Sequence, residues 1–139
     1  MGRPIRAPSY QIAFYSPLRL VRQPAESYME EVTADTALDV WVYIQNPYGA
    51  VSVADGRAYL TNWLGGESLS LGKAKYVREP YGRVAKISFS NVPTGHIFRL
   101  DGVDLCFIDG PHSYDAVVVA PVPGELSAVV ASLLGTWGT

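Results

Sequence analysis

The chain has 139 residues, 48% of them apolar and 17% charged, with a formal net charge of −2. That composition suits one folded domain with a sizeable core, and it excludes both a disordered chain and a polycation that coats nucleic acid. The single cysteine, Cys106, excludes an internal disulfide framework, and no apolar run approaches the roughly 18 residues a membrane-crossing helix needs.

The N-terminal stretch MGRPIRAPSYQIAF lacks the continuous apolar run of a secretory signal, so synthesis in the cytoplasm without a signal peptide is expected. Arginine outnumbers lysine eight to three, and ten prolines stand beside only three asparagines and three glutamines, a balance that suits a heat-adapted protein. Charge divides the chain in two. Residues 1–24 carry Arg3, Arg6, Arg19 and Arg22 and no acid, whereas residues 25–139 hold all thirteen acids against seven bases, so the first region is +4 and the second −6. An extended basic N-terminal arm (1–24) followed by a single β domain (25–139) is the expected organisation.

In the arm, prolines at 4, 8, 17 and 24 forbid a helix and favour extended backbone. Between them YQIAFY (10–15) and LRLVR (18–22) alternate in the manner of strands. The acidic segment AESYMEEVTADTA (25–37) is compatible with a short helix or turn. In LDVWVYIQ (38–45), Leu38, Val40, Val42 and Ile44 share one face while Trp41 and Tyr43 take the other, which predicts a strand covered on both sides, with a neighbouring subunit as one cover.

Turn signals then recur along the chain. Asn46-Pro47-Tyr48-Gly49 closes one strand, and Asp55-Gly56 is read as a two-residue hairpin turn between AVSVA (50–54) and RAYLTNW (57–63). Gly65-Gly66 interrupts the chain, Glu79-Pro80-Tyr81-Gly82 separates KAKYV from RVAKISF, and Asn91 to Gly95 ends that strand. Asp101-Gly102 is read as a second hairpin, between HIFRL and VDLCFI. Short strands and tight turns predict an all-β fold, an antiparallel sandwich or barrel built from hairpins. Leu126, Val129, Val130 and Leu133 fall at helical spacing and predict one short helix over about residues 124–134, ended by Gly135 and capping an open end of the sheet.

No stretch declares a reaction. FIDGPHSYDAV (107–117) resembles the strand-end segment of class I methyltransferases that use S-adenosylmethionine, but the chain has no G-x-G loop and no helical crossovers of the kind a parallel sheet requires. Asp109-Gly110-Pro111-His112-Ser113 is better explained as turn chemistry. His96, Asp109, His112 and Asp115 are the obvious metal-ligand types, yet they show no tight pair spacing, and the adjacent Asp109, His112 and Ser113 are poorly placed to converge as a hydrolase triad. Glu30-Glu31 reads as a solvated pair, and Cys106, in an apolar alternating run, as a buried inert thiol. No catalytic, cofactor-binding or metal-binding residue is therefore expected.

Trp41, Tyr43, Tyr59 and Trp63 could form a platform for sugar rings, but core or intersubunit packing is the more ordinary use of such aromatics. The arm is harder to place within so small a domain. Its apolar and basic teeth (Arg3, Arg6, Tyr10, Ile12, Phe14, Tyr15, Leu18, Leu20 and Arg22) suit docking on another chain, where strand addition contributes about 1 kcal/mol net per main-chain hydrogen bond.

A short β domain with an extended terminal arm and no catalytic set resembles the head decoration (cement) proteins of tailed bacteriophages, in the layout of the whole chain rather than in a motif. The resemblance implies a non-enzymatic virion protein, a homotrimer on the outer capsid surface, that binds the major capsid protein and other copies of itself and stabilises the lattice. It implies partner contacts through the arm residues just named, a trimer interface that includes Trp41 and Tyr43, and neither nucleic acid nor membrane as partner. A phage neck or tail component and a carbohydrate- or small-ligand-binding β module are the alternatives.

Overall fold

The computed structural model describes residues 4–7, 12–15, 18–24, 31–45, 53–65, 69–80, 82–92, 100–108 and 114–137. Among these residues, ten strands and two helices follow in chain order: β1 (Pro4–Ala7), β2 (Ile12–Tyr15), β3 (Val21–Gln23), β4 (Glu31–Asp35), β5 (Val40–Gln45), α1 (Val53–Tyr59, continued by a π-helical turn, Leu60–Gly65), β6 (Ser70–Leu71), β7 (Lys75–Glu79), β8 (Gly82–Val92), β9 (Leu100–Phe107), β10 (Asp115–Ala120) and α2 (Pro123–Thr136). Eight strands form one antiparallel sheet in the order β3-β4-β5-β10-β9-β8, with β6 and β7 both on the outer edge of β8. β1 and β2 pair separately as a two-stranded ribbon. No helix among the described residues is long and apolar enough to cross a membrane.

The centre of the sheet is β9 beside β10. Every residue of β10 and all but Asp101 of β9 are buried, because both faces of these strands are covered. Strand alternation sends Val103, Leu105, Phe107, Ala116 and Val118 to the first face, where they meet Val129, Val130 and Leu133 of α2. Trp137, at the end of α2, stacks on Phe107 with ring centroids 3.9 Å apart and Tyr114 against its edge, which pins the helix to the sheet. On the second face, Ala85, Ile87, Phe89, Cys106, Val117 and Val119 pack with Leu60 of the π-helical turn and Val53 of α1. Each fully buried Val, Leu or Ile contributes roughly 1.5–3 kcal/mol, so the two faces make comparable demands for cover.

Several sequence expectations hold. β7 and β8 form the hairpin across Glu79–Gly82, with Gly82 at a positive φ of 139°. Val40, Val42 and Ile44 share a buried face, whereas Leu38, expected with them, is exposed in the turn before β5. The mostly antiparallel β architecture and the C-terminal helix are both present.

Other elements differ, each for a physical reason. Residues 31–35 of the helix-compatible segment form β4 and pair with β3 and β5, tertiary pairing overriding local propensity. Asp55-Gly56 is not a hairpin turn but lies inside α1, and residues 57–63 continue as helix rather than strand. Asp101-Gly102 also makes no turn, since β9 runs straight through it. The C-terminal helix extends to Thr136, passes through Gly135, and covers a sheet face instead of an open end. Among the described residues the sheet is open, with β3 at one edge and β6 and β7 at the other, rather than closed as a barrel. β3 ties residues 21–23 to the body across the expected boundary at residue 24, and Leu20 is buried in the first-face core. The Asn46–Gly49 turn lies outside the described residues.

Gly102 is required by close approach. A Cβ there would stand 2.3 Å from the Phe89 ring and 2.5 Å from the Val118 carbonyl oxygen, both far inside contact distance. Because the carbonyl belongs to the neighbouring central strand, neither neighbour can yield cheaply. Gly102→Ala is expected to destabilise the fold by about 3 kcal/mol, the upper end of overpacking costs, measurable by urea denaturation against wild type.

Candidate functional site

Three side chains that carry chemistry meet beneath α1. Asp104 and Cys106 are two residues apart on β9 and so project to the same, second face. Asp115 begins β10 and is the direct cross-strand partner of Cys106. One ligand-type atom from each, a carboxylate oxygen from Asp104 and Asp115 and Sγ from Cys106, lie within 4.8 Å of one another. The Cys106 thiol is 4.0 Å from Asp115 Oδ1, towards which it can donate a weak hydrogen bond. All three residues are buried, Asp104 and Cys106 completely.

Asp104 is the anomaly in this group. Both of its carboxylate oxygens are buried and neither has a hydrogen-bond partner. Leaving a buried polar group unsatisfied costs about 1–3 kcal/mol, and an isolated buried charge costs far more. The Cβ-less Gly56 of α1 passes directly over the group: a Cβ there would stand 2.6 Å from Cys106 Sγ and 2.7 Å from Asp104 Oδ2. Glycine inside a helix is unfavourable by about 1 kcal/mol relative to alanine, and here it is what lets the helix backbone approach the two side chains. With all three groups buried, the arrangement is suited to holding a proton or a cation rather than to attacking a substrate.

Sequence reasoning passed over Asp104 because reading Asp101-Gly102 as a turn cut β9 in two. The signal was present in LDGVDLCF: an acid on the same alternation as a cysteine, inside a run otherwise fit for a fully buried strand. Of the ligand types weighed from the sequence, Asp115 belongs to this group, while His96, Asp109 and His112, like Ser113, lie outside the described residues.

Trp41 and Tyr43, expected at a subunit interface, are half-buried and pack against the second-face core. Their rings are parallel, with centroids 6.1 Å apart. Asp39, at a positive φ of 55° in the β4–β5 turn, accepts a hydrogen bond from Trp41 Nε1 at 2.9 Å. Burial, and secondarily the Asp39 carboxylate, push the Tyr43 hydroxyl up to about 12. Tyr59 and Trp63 fall on α1 and its π-helical continuation, so the sugar platform expected from neighbouring strands is not assembled as a strand surface.

The arm residues are placed as follows. Arg3 and Tyr10 lie outside the described residues; Arg6 is on β1, and Ile12, Phe14 and Tyr15 are on β2, which runs against α2. Leu18 packs on the first-face core, and Leu20 is part of it and offers no apolar surface to a partner. Arg22 is exposed on β3 beside Val21, itself 53% exposed.

Gly56→Ala is expected to destabilise the protein by about 1–3 kcal/mol through overpacking, despite alanine's better helix propensity, as thermal unfolding would show. A raised Tyr43 pKa means the folded state holds its proton where the unfolded state has lost it. The linked stability is complete below the ordinary tyrosine value near 10 and is lost as pH rises towards 12. Stability measured by unfolding from pH 9 to 12 should therefore fall less steeply for Tyr43→Phe than for wild type.

Compared with known proteins, the chain matches no family model and no curated protein.

Proposed function

We propose that this chain is a non-enzymatic structural protein of a virus particle, which binds the outer capsid lattice as a homotrimer and stabilises it through its N-terminal region. The observation that supports this reading is the β3 edge. β3 has a neighbour on one side only among the described residues, and it displays Val21 and Arg22 to solvent, with Arg19 exposed just before it. An exposed edge strand is a template for strand addition. Here it continues back into the proline-punctuated, +4 segment that carries the β1–β2 ribbon. The major capsid protein and neighbouring copies of this chain are the proposed partners, with acidic surface opposite the arginines. A closed sandwich or barrel would then arise only between chains, where one copy's edge is completed by another. Trp41 and Tyr43, half-buried on the second face, are the proposed contribution to the trimer interface.

Stabilisation on this reading is mass action: a protein that binds the assembled lattice and not free subunits shifts the equilibrium towards the assembly. Weak edge contacts become strong when repeated around a symmetric shell.

The test is a truncation chosen to spare the core. Removing residues 1–17 deletes β1 and β2 but keeps Leu18, Leu20 and β3, which belong to the body. The truncated chain is expected to retain a β-rich circular dichroism spectrum and to lose the ability to protect purified particles from heat. Protection equal to that of the full chain would sink the proposal, as would absence of the protein from every particle by peptide mass spectrometry.

A further inference from the structure

We propose that Asp104, Cys106 and Asp115 form a structural site for a zinc-type divalent cation, which staples β9 to β10 beneath α1. This inference does not depend on the assembly role. It rests on four observations that agree. Three donor atoms of metal-binding type lie within 4.8 Å of one another on adjacent strands of a rigid sheet. The Asp104 carboxylate, completely buried within that group, has no hydrogen-bond partner on either oxygen. Two carboxyl groups so close together in a dry interior cannot both be ionised without a compensating positive charge. And Gly56, by lacking a Cβ, leaves the side of the cluster under α1 unfilled by side chain.

The donor set selects the ion. A thiolate disfavours calcium and magnesium, which take oxygen ligands, whereas mixed sulfur and carboxylate donors suit zinc. Tetrahedral zinc would hold sulfur and oxygen donors ~3.5 Å apart, and the 4.0 Å between Cys106 Sγ and Asp115 Oδ1 needs only a small contraction. The three side chains supply three of the donors, and Asp104, with both oxygens available, can add its second oxygen as a longer contact that closes the site in place of a separate fourth ligand. Binding displaces the thiol proton, and any proton the carboxyl groups share, to solvent; no redox change is involved. Burial of all three residues marks the site as structural, since structural zinc sites are closed whereas catalytic ones keep a position open to substrate.

The competing arrangement is metal-free, with the two carboxyl groups sharing a proton and the thiol donating to Asp115. The two are separated with the full-length chain, incubated with zinc chloride and desalted, then assayed for bound metal. The expected result is one zinc per chain in wild type and loss of that zinc in Asp104→Asn and in Cys106→Ser. Asp104→Asn is near-isosteric and removes a buried carboxyl group, so it is expected to fold, which circular dichroism verifies. Cobalt(II) supplies a second readout: wild type should show a thiolate-to-cobalt charge-transfer band in the near ultraviolet that Cys106→Ser lacks, a signal that histidine sites elsewhere on the chain do not produce. Folded wild type that retains no zinc, or zinc retained equally by both variants with no thiolate band, would overturn the proposal.

Discussion

Two-sided burial of β9 and β10 governs the rest of the structure. A strand whose successive side chains point to opposite faces exposes apolar surface to water unless both faces are covered, and these two strands are apolar on both. One cover is α2, held at its end by the Trp137–Phe107 stack. The other is α1 with its π-helical turn, delivered to the far face by the excursion between β5 and β6. Because β10 pairs with β5 on one side and β9 on the other, the last strand joins the two halves of the sheet, and the core cannot be complete until it inserts. Gly102 marks how tightly that centre closes, with the Phe89 ring and a β10 carbonyl occupying the space a side chain would need.

The two ends of the sheet are managed differently. On the far side, the edge of β8 is shared between the two-residue β6 and the charged β7, where Lys75 and Arg78 are exposed, and a bulge with Asn91 at positive φ breaks the register near Val92. Interruption, charge and bulging all discourage edge-to-edge pairing. The β3 end is also short, and it carries the exposed Arg22 beside the exposed Val21. An incoming strand meets a single strand at β3, whereas the other edge is divided between β6 and β7. The open β3 edge and the change of net charge near residue 24 are the two features on which the docking role proposed for the N-terminal region draws.

Patterns of period two in strands and of period 3.6 in the helix were readable where nothing competed with them. Val40, Val42 and Ile44, the β7–β8 hairpin and the α2 stripe at Val129, Val130 and Leu133 follow directly from spacing. Both Asp-Gly pairs misled for the same reason: glycine serves turns and close approaches alike, and composition does not say which. At Gly102 the neighbour is a ring and a backbone carbonyl; at Gly56 it is a cysteine and an aspartate. Each such contact joins residues distant in sequence, so it exists only after the strands have paired. The same holds for β4, whose acidic sequence favours helix until β3 and β5 are there to bond it. Asp104 was visible as a letter but not as a site, since its partners Asp115 and Gly56 come from β10 and α1.

Asp104 and Gly56 each break a local rule, and they break it in one place, beside Cys106. A carboxylate inside a fully buried strand is costly, a glycine inside a helix is costly, and an unsatisfied pair of carboxylate oxygens adds to both. Total stability of a domain this size is only about 5–15 kcal/mol, so three such penalties together are a substantial fraction of it. Independent defects would be expected to scatter over the molecule and to be relieved by ordinary substitutions: leucine at 104 or alanine at 56 would each improve the local preference. Their convergence means that the substitutions are not independent, because alanine at 56 would fill the space above Asp104 and Cys106, and leucine at 104 would set a branched side chain under the same close approach of Gly56. A cation bound among the carboxylates and the thiol offsets the buried charge, satisfies the orphaned oxygens and gives the glycine its reason, which accounts for all three departures with a single cause.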